Sequence, residues 1–308
     1  MKINEFSGDQ ITTTVVNAML ETSNILRVAE FYPIIGNADY KRKKSAATGG
    51  KFRELNSNYA DNQINPEYAN PALVIFGDQV QVDRAHERRG SDIPSVRAAD
   101  LLVFARDLGR EFQNKFFNGS KTVDSKEFNG LKTICPSGQK ITADTNGLIV
   151  PLGNSDTNKT AQQKFLELLD SLIQSIDGGA QFLSMNGDML SRLTRIAEAS
   201  VYWDKDEFGV PIAFYNRIPI LPAGYDKSGN AIVGNAETVG TSTDCTSIYA
   251  GRFGEASDLS FATNIGVEVK DLGLVGVHYT HSVDFDLDLT LLNSKAIGRL
   301  EGLRIKAS

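Results

Sequence analysis

Residues 275–291 alternate apolar and polar side chains almost without a break. Val275, Val277, Tyr279, His281, Val283, Phe285, Leu287, Leu289 and Leu291 fall on one parity. Gly276, His278, Thr280, Ser282, Asp284, Asp286, Asp288 and Thr290 fall on the other. A strand sends successive side chains to opposite faces, so the pattern predicts one very long, half-buried strand. At about 3.4 Å per residue it would span roughly 50 Å, against a usual strand of about 5–6 residues. A compact enzyme rarely needs such a girder. A protein that spans distance and tiles against its own copies does.

The 308 residues suffice for one large or two ordinary domains with a sizeable core. With 41% hydrophobic and 23% charged residues the chain has an ordinary globular profile. Its net charge of −6 supplies no global basic field toward nucleic acid or an anionic membrane. The local exception is Lys41, Arg42, Lys43 and Lys44, which reads as a solvated loop tip or an anion contact. Cys135 and Cys245 lack zinc-site spacing and are too few for a disulfide framework, which favours reduced thiols in a cytosolic setting. There is no apolar run of about 18 residues and no apolar stretch after Met1–Phe6, so neither a secreted nor a membrane-spanning product is expected.

The first forty residues read as an arm. Thr13 to Phe31 has weak helical spacing, stopped by Pro33 and Gly36. Lys41 to Gly90 is polar and irregular, with a β-ribbon predicted at Leu73–Phe76 and Gln79–Asp83 around a Gly77–Asp78 turn. The clearest helix is Ser95–Phe117, capped by Ser95, with Leu101, Phe104, Leu108, Phe112 and Phe116 as its apolar stripe. Glu111 and Lys115 form a favourable i,i+4 pair on it. Asn118–Gly119 ends it. The centre then reads helix, strand, helix: Phe165–Ile176, Ala180–Met185 and Met189–Ile196. Val210–Phe214 and Ile218–Leu221 are strand-like but hold prolines, which suggests edges or bends. Tyr225–Thr243 reads as an exposed loop, and Ser247–Ala250 and Gly266–Val269 as further strands.

Catalytic signals are faint. His86 lies in a charged connector, and His278 and His281, three apart on a strand, point to opposite faces and cannot share a metal. Asp284, Asp286 and Asp288 share one face, with neighbours about 7 Å apart. Such a comb is open to three readings: a solvated face, a surface for Arg and Lys of a partner, or a cation site. No phosphate-binding glycine loop follows a strand. No catalytic, cofactor or metal residue is assigned.

The order of segments resembles the major capsid protein of tailed bacteriophages with the HK97 fold. Asp92–Gly119 is similar to that family's spine helix and exit, and Phe128–Leu131 to the segment after it. Leu183–Leu190 resembles the strand-to-helix step of the axial domain, and Phe208–Ile212 its G-x-P-I strand. Thr246–Gly254 is similar to the strand before the return to the peripheral domain, and Ala296–Leu303 to the closing strand. The likeness runs from about Leu73 to the end and rests on collinear order.

The resemblance implies an α+β fold with an N-terminal arm (1–40), an extended E-loop (41–91), a peripheral domain (92–159 and 275–308) and an axial domain (160–274). It implies a non-enzymatic major capsid protein. Copies would form the pentamers and hexamers of an icosahedral shell around double-stranded DNA. A separate scaffolding protein, a portal and a decoration protein are the implied partners. The implied location is the virion capsid, assembled in the host bacterial cytoplasm. The residues expected at contacts between copies are Lys43, Lys44, Lys51, Arg84, Arg88, Arg89, Arg106, Arg110, Asp284, Asp286 and Asp288. The alternatives are an encapsulin-like shell packaging protein cargo and, from a different class, a metal-assisted hydrolase using the Asp comb.

Overall fold

The alternating tract does not run as one strand. Gly276, at φ +66°, turns the chain, and it is the first of two loop residues, where a primed hairpin turn needs positive φ. The result is a hairpin of two very long strands. The computed structural model describes residues 1–6, 8–36, 40–44, 52–59, 67–90, 92–205 and 209–305.

Its helices are α1 (Gln10–Thr22), α2 (Asn24–Val28), α3 (Ala85–Arg88), α4 (Ile93–Asn118), α5 (Leu131–Ile134), α6 (Asp156–Gln174) and α7 (Gly187–Ile196). Its strands are β1 (Phe31–Pro33), β2 (Lys41–Arg42), β3 (Tyr68–Ala69), β4 (Val74–Asp83), β5 (Lys140–Thr142), β6 (Leu148–Ile149), β7 (Phe182–Met185), β8 (Val201–Lys205), β9 (Pro211–Tyr215) and β10 (Ile218–Pro222). The remaining strands are β11 (Glu237–Val239), β12 (Ser242–Gly251), β13 (Leu259–Val275), β14 (His278–Leu291) and β15 (Ile297–Arg304).

Two sheets result. The first has the order β1-β13-β14-β4. Val283, Phe285, Leu287 and Leu289 of β14 are buried, as the alternation requires. They face α4, whose Leu101, Ala105, Leu108, Phe112 and Phe116 belong to the same core. Helix α4 starts two residues before the predicted Ser95 cap. Pro94 occupies its first turn, where a missing N–H costs nothing. At its end Gly119 has φ −55°, so no left-handed turn is involved. A side chain there would lie 2.5 Å from the Phe128 carbonyl oxygen, and the Gly130 N–H donates to the Gly119 carbonyl at 2.8 Å.

The first forty residues are more than an arm. Val15, Val16, Met19, Ile25 and Leu26 are buried in the α4 core, and Phe31 stacks on Phe261 at 5.2 Å. Their period is obscured in sequence because two short helices meet at Ser23, whose Oγ accepts from the Leu26 N–H. Side-chain room is also removed where α1 meets α4: a Cβ on Gly109 would sit 2.7 Å from the Met19 carbonyl oxygen.

The predicted ribbon with a Gly77–Asp78 turn is one continuous strand. β4 lies along β14 in register from Val74 opposite Leu287 to Asp83 opposite His278, at the sheet edge. It is paired with β14 along its whole length. Gly77 packs so close to β14 that a Cβ would lie 1.9 Å from the Val283 carbonyl oxygen. The exclusion of a side chain there explains the glycine without a turn.

The second sheet has the order β5-β15-β12-β7-β10-β9-β8, with β11 on β12 and β6 on β15. Phe165, Leu169 and Leu172 of α6 and Met189 and Leu193 of α7 bury against it. β10 lies between β7 and β9 rather than at an edge or bend. Its Pro219 is tolerated because pairing with β7 begins only at Ile220. The sheets also divide the chain differently from the expected segments. Strand β13, all but its last residue placed with residues 160–274, lies in the first sheet, and Ile297–Arg304, placed with residues 275–308, lies in the second. Tyr225–Thr243 is not simply an exposed loop. Ile232 and Val233 are buried, and Asn118 Nδ2 donates to the Ile232 carbonyl at 2.8 Å.

Candidate assembly interfaces

The face of the first sheet turned away from α4 carries the Asp comb, and its three members have different surroundings. Asp288 is buried. It accepts from Lys121 Nζ at 3.1 Å and from the Ala72 N–H at 3.0 Å. Burial pushes its carboxyl above the usual range, and Lys121 only partly opposes this. Tyr32 covers the neighbouring position, with its hydroxyl 3.3 Å from Thr290 Oγ1. Asp286 is half-buried and accepts from Asn264 Nδ2 at 3.1 Å. Asp284 is half-buried and stands opposite Glu268 on β13 and Gly77 on β4. Two like charges directly opposite are destabilising, and Lys270, 2.9 Å from Glu268, offsets part of this.

The expected basic residues separate into three groups. Lys43 is 3.7 Å from Glu67, and Lys44 Nζ is 2.5 Å from Asp177. That hydrogen bond raises the Lys44 ammonium above its ordinary value and holds Asp177 below the carboxylate range. The Lys41–Lys44 run is therefore not a free loop tip. Its Lys41 ammonium sits 5.6 Å from the Tyr32 ring centre, and the Lys44 N–H donates to the Leu292 carbonyl. Lys51 lies outside the described residues.

Arg84, Arg88 and Arg89 form the second group. They are exposed on and beside α3 and make no salt bridge among the described residues. The Arg84 N–H donates to the Val277 carbonyl, so this basic cluster adjoins the hairpin tip. At that tip Leu272, Leu274, Val275 and Val277 are all exposed. Arg106 and Arg110 form the third group, both satisfied within the chain: Arg106 Nε to Glu21 at 3.1 Å and Arg110 to Asp107 at 3.0 Å. Residues 52–59 add Phe52, Leu55 and Tyr59, again exposed.

Among the described residues, no group of three His, Cys, Asp or Glu side chains stands close enough to hold a metal ion. No helix among them is long and apolar enough to cross a membrane. Sequence reasoning weighed His281 for a metal but missed the Arg97–Asp271 pair, at 2.5 Å, beside it. The partners are 174 positions apart, and no local pattern joins them.

No protein-family model matches the chain, and no curated protein matches it by sequence. Solved structures do match. The SrpI encapsulin of Synechococcus elongatus PCC 7942, in its holo complex, is similar over 92% of this chain and 88% of its own, at 14% identity and a TM-score of 0.64. The capsid of the native GTA particle matches over 92% and 90%, at 15% identity and a TM-score of 0.58. The virus-like particle from Pyrococcus furiosus matches over 94% and 97%, at 12% identity and a TM-score of 0.53. The long helix on the long hairpin, joined to a mixed α/β sheet, is thus the HK97 fold of phage capsids and encapsulin shells.

Proposed function

We propose that this chain is a self-assembling shell protein, the major capsid protein of a tailed phage. Copies form the pentamers and hexamers of an icosahedral shell that encloses double-stranded DNA without sequence-specific contacts. The supporting observation is the likeness to shell proteins over about nine-tenths of both chains. The protein acts as a structural element of the virion, not as an enzyme. It assembles in the host bacterial cytoplasm, with a separate scaffolding protein, a portal and a decoration protein as further partners. In this reading the segments 1–40, 41–91, 92–159 with 275–308, and 160–274 are the arm, E-loop, peripheral and axial parts, save that β13 joins the peripheral sheet, β15 joins the axial sheet and the arm packs its helices on α4.

Contacts between copies involve Lys43, Lys44, Lys51, Arg84, Arg88, Arg89, Arg106, Arg110, Asp284, Asp286 and Asp288 in this proposal. The unsatisfied members are the better candidates. Arg84, Arg88 and Arg89 make no salt bridge among the described residues, and Asp284 faces a like charge. A second reading, a compartment that packages protein cargo, draws on the TM-score of 0.64 to an encapsulin.

Electron microscopy of the purified full chain tests the common core of both readings. Closed shells, or rings of five or six, are expected; a monomer under every assembly condition overturns the proposal. The contents of particles taken from the producing cell separate the two. Nuclease-resistant double-stranded DNA supports the phage capsid, and a stoichiometric protein without nucleic acid supports the compartment.

A further inference from the structure

We infer that Arg97, Asp271 and His281 form a proton-sensitive latch that holds the start of α4 on the long hairpin. Three elements meet there. Arg97 lies one turn into α4, Asp271 on β13 and His281 on β14, and Asp271 and His281 are cross-strand partners. Arg97 NH2 donates to Asp271 Oδ1 at 2.5 Å and lies 3.3 Å from His281 Nε2. The guanidinium carbon is 5.2 Å from the Tyr279 ring centre.

The arrangement requires a neutral imidazole. Nε2 can accept from Arg97 only when it carries no proton. Once protonated it places a second cation 3.3 Å from the guanidinium. It also gains a reason to take Asp271, whose Oδ2 is already 3.8 Å away. The proton therefore converts an Arg97–Asp271 clamp into a His281–Asp271 pair and leaves Arg97 without its carboxylate. Its Nε, moreover, is buried without a hydrogen-bond partner.

There is room for it to move. α1 and α4 touch at Gly109, and nearer their N-termini a groove of about 410 Å³ is lined by Ile11, Val15, Leu101, Leu102, Arg97 and His281. The other groups around His281 do not replace the latch. On β4 its partner is Val80, with Asp78 two residues along; α1 presents neutral Gln10 and Thr14; Glu87 of α3 reaches only the Tyr279 hydroxyl, at 3.5 Å. Burial, then Arg97, hold the imidazole below its ordinary value of 6.5, against the opposing pull of Asp271. A base depressed in the folded state favours the latched form fully above pH 6.5 and loses that contribution as pH falls through the folded value.

Hydrogen exchange of the full chain tests this, read at the backbone amides of residues 96–99, the first with acceptors inside the helix, from pH 7.5 to 5.0 and corrected for intrinsic exchange. Protection in the native chain should fall about tenfold for each unit of pKa depression crossed. His281→Gln keeps an acceptor but does not titrate, so its protection should stay level across the range. Arg97→Met should show low protection at every pH. Level protection in the native chain, or a His281→Gln profile that falls like the native one, overturns the latch.

Discussion

The two ends of α4 are held by different physics. Its C-terminal half is gripped by aromatic rings: Phe112 lies 5.2 Å from Phe261, 6.2 Å from Phe76 and Phe128, and 6.3 Å from Phe285. Phe116 and Phe117 extend this cluster toward Phe253 and Tyr249. Its first turns are held by buried Ile93 and by the Arg97 clamp, beside an open groove. Apolar burial is non-directional and insensitive to pH; a charge clamp depends on the protonation of its neighbours. One helix thus combines a fixed end with an end whose hold responds to conditions.

Cutting into the fixed end should have the largest effect. Phe112→Ala removes a fully buried ring from the centre of the cluster and should lower stability by about 3–5 kcal/mol. Urea unfolding of the full chain at matched concentration measures this. A loss below about 1 kcal/mol would mean that the aromatic cluster is not what anchors the helix.

A middle-sized effect is expected where a charge is buried. Lys121→Met leaves the Asp288 carboxyl buried without its cation. The lysine is itself about a third exposed, so roughly 2 kcal/mol at neutral pH is expected, below the usual range for fully buried pairs. The sign with pH is specific. Asp288 is raised in the folded state, so the fold holds this proton more tightly than the unfolded chain does. Its contribution is fully present below the unfolded value of 3.8 and is lost as pH rises through the folded one. Without Lys121 that window should extend to higher pH, and the variant should recover toward native stability on acidification. A variant that loses further ground in acid would assign the defect to packing instead.

The smallest effect belongs to the solvent-facing side of the same helix. Arg106→Ala and Arg110→Ala break exposed pairs and should each change monomer stability by less than about 1 kcal/mol. A much larger loss in assembled particles than in isolated chains would locate either residue at a boundary between copies.

Much of the fold was legible from local pattern. The apolar stripe of α4, the helix–strand–helix centre and the parity of β14 all follow from side-chain periods of 3.6 and 2. The candidate contacts were less legible. Asp284, Asp286 and Asp288 are equivalent in sequence, yet one is buried against Lys121, one binds Asn264 and one faces Glu268. The N-terminal helices were underestimated because their apolar residues acquire meaning only against α4. Gly77 predicts a turn because a glycine required by a neighbouring backbone looks, in sequence, like one required by its own φ.

The sequence by itself determined which faces are apolar, where the long helix runs and that a strand of exceptional length must exist. These depend on residues a few positions apart. The tertiary structure alone decided that the alternating tract folds back on β13 at Gly276, that β4 completes its edge, and that Arg97 meets Asp271 and His281. Those choices depend on pairings between distant segments. Their energies reside in burial and electrostatics that no local period encodes.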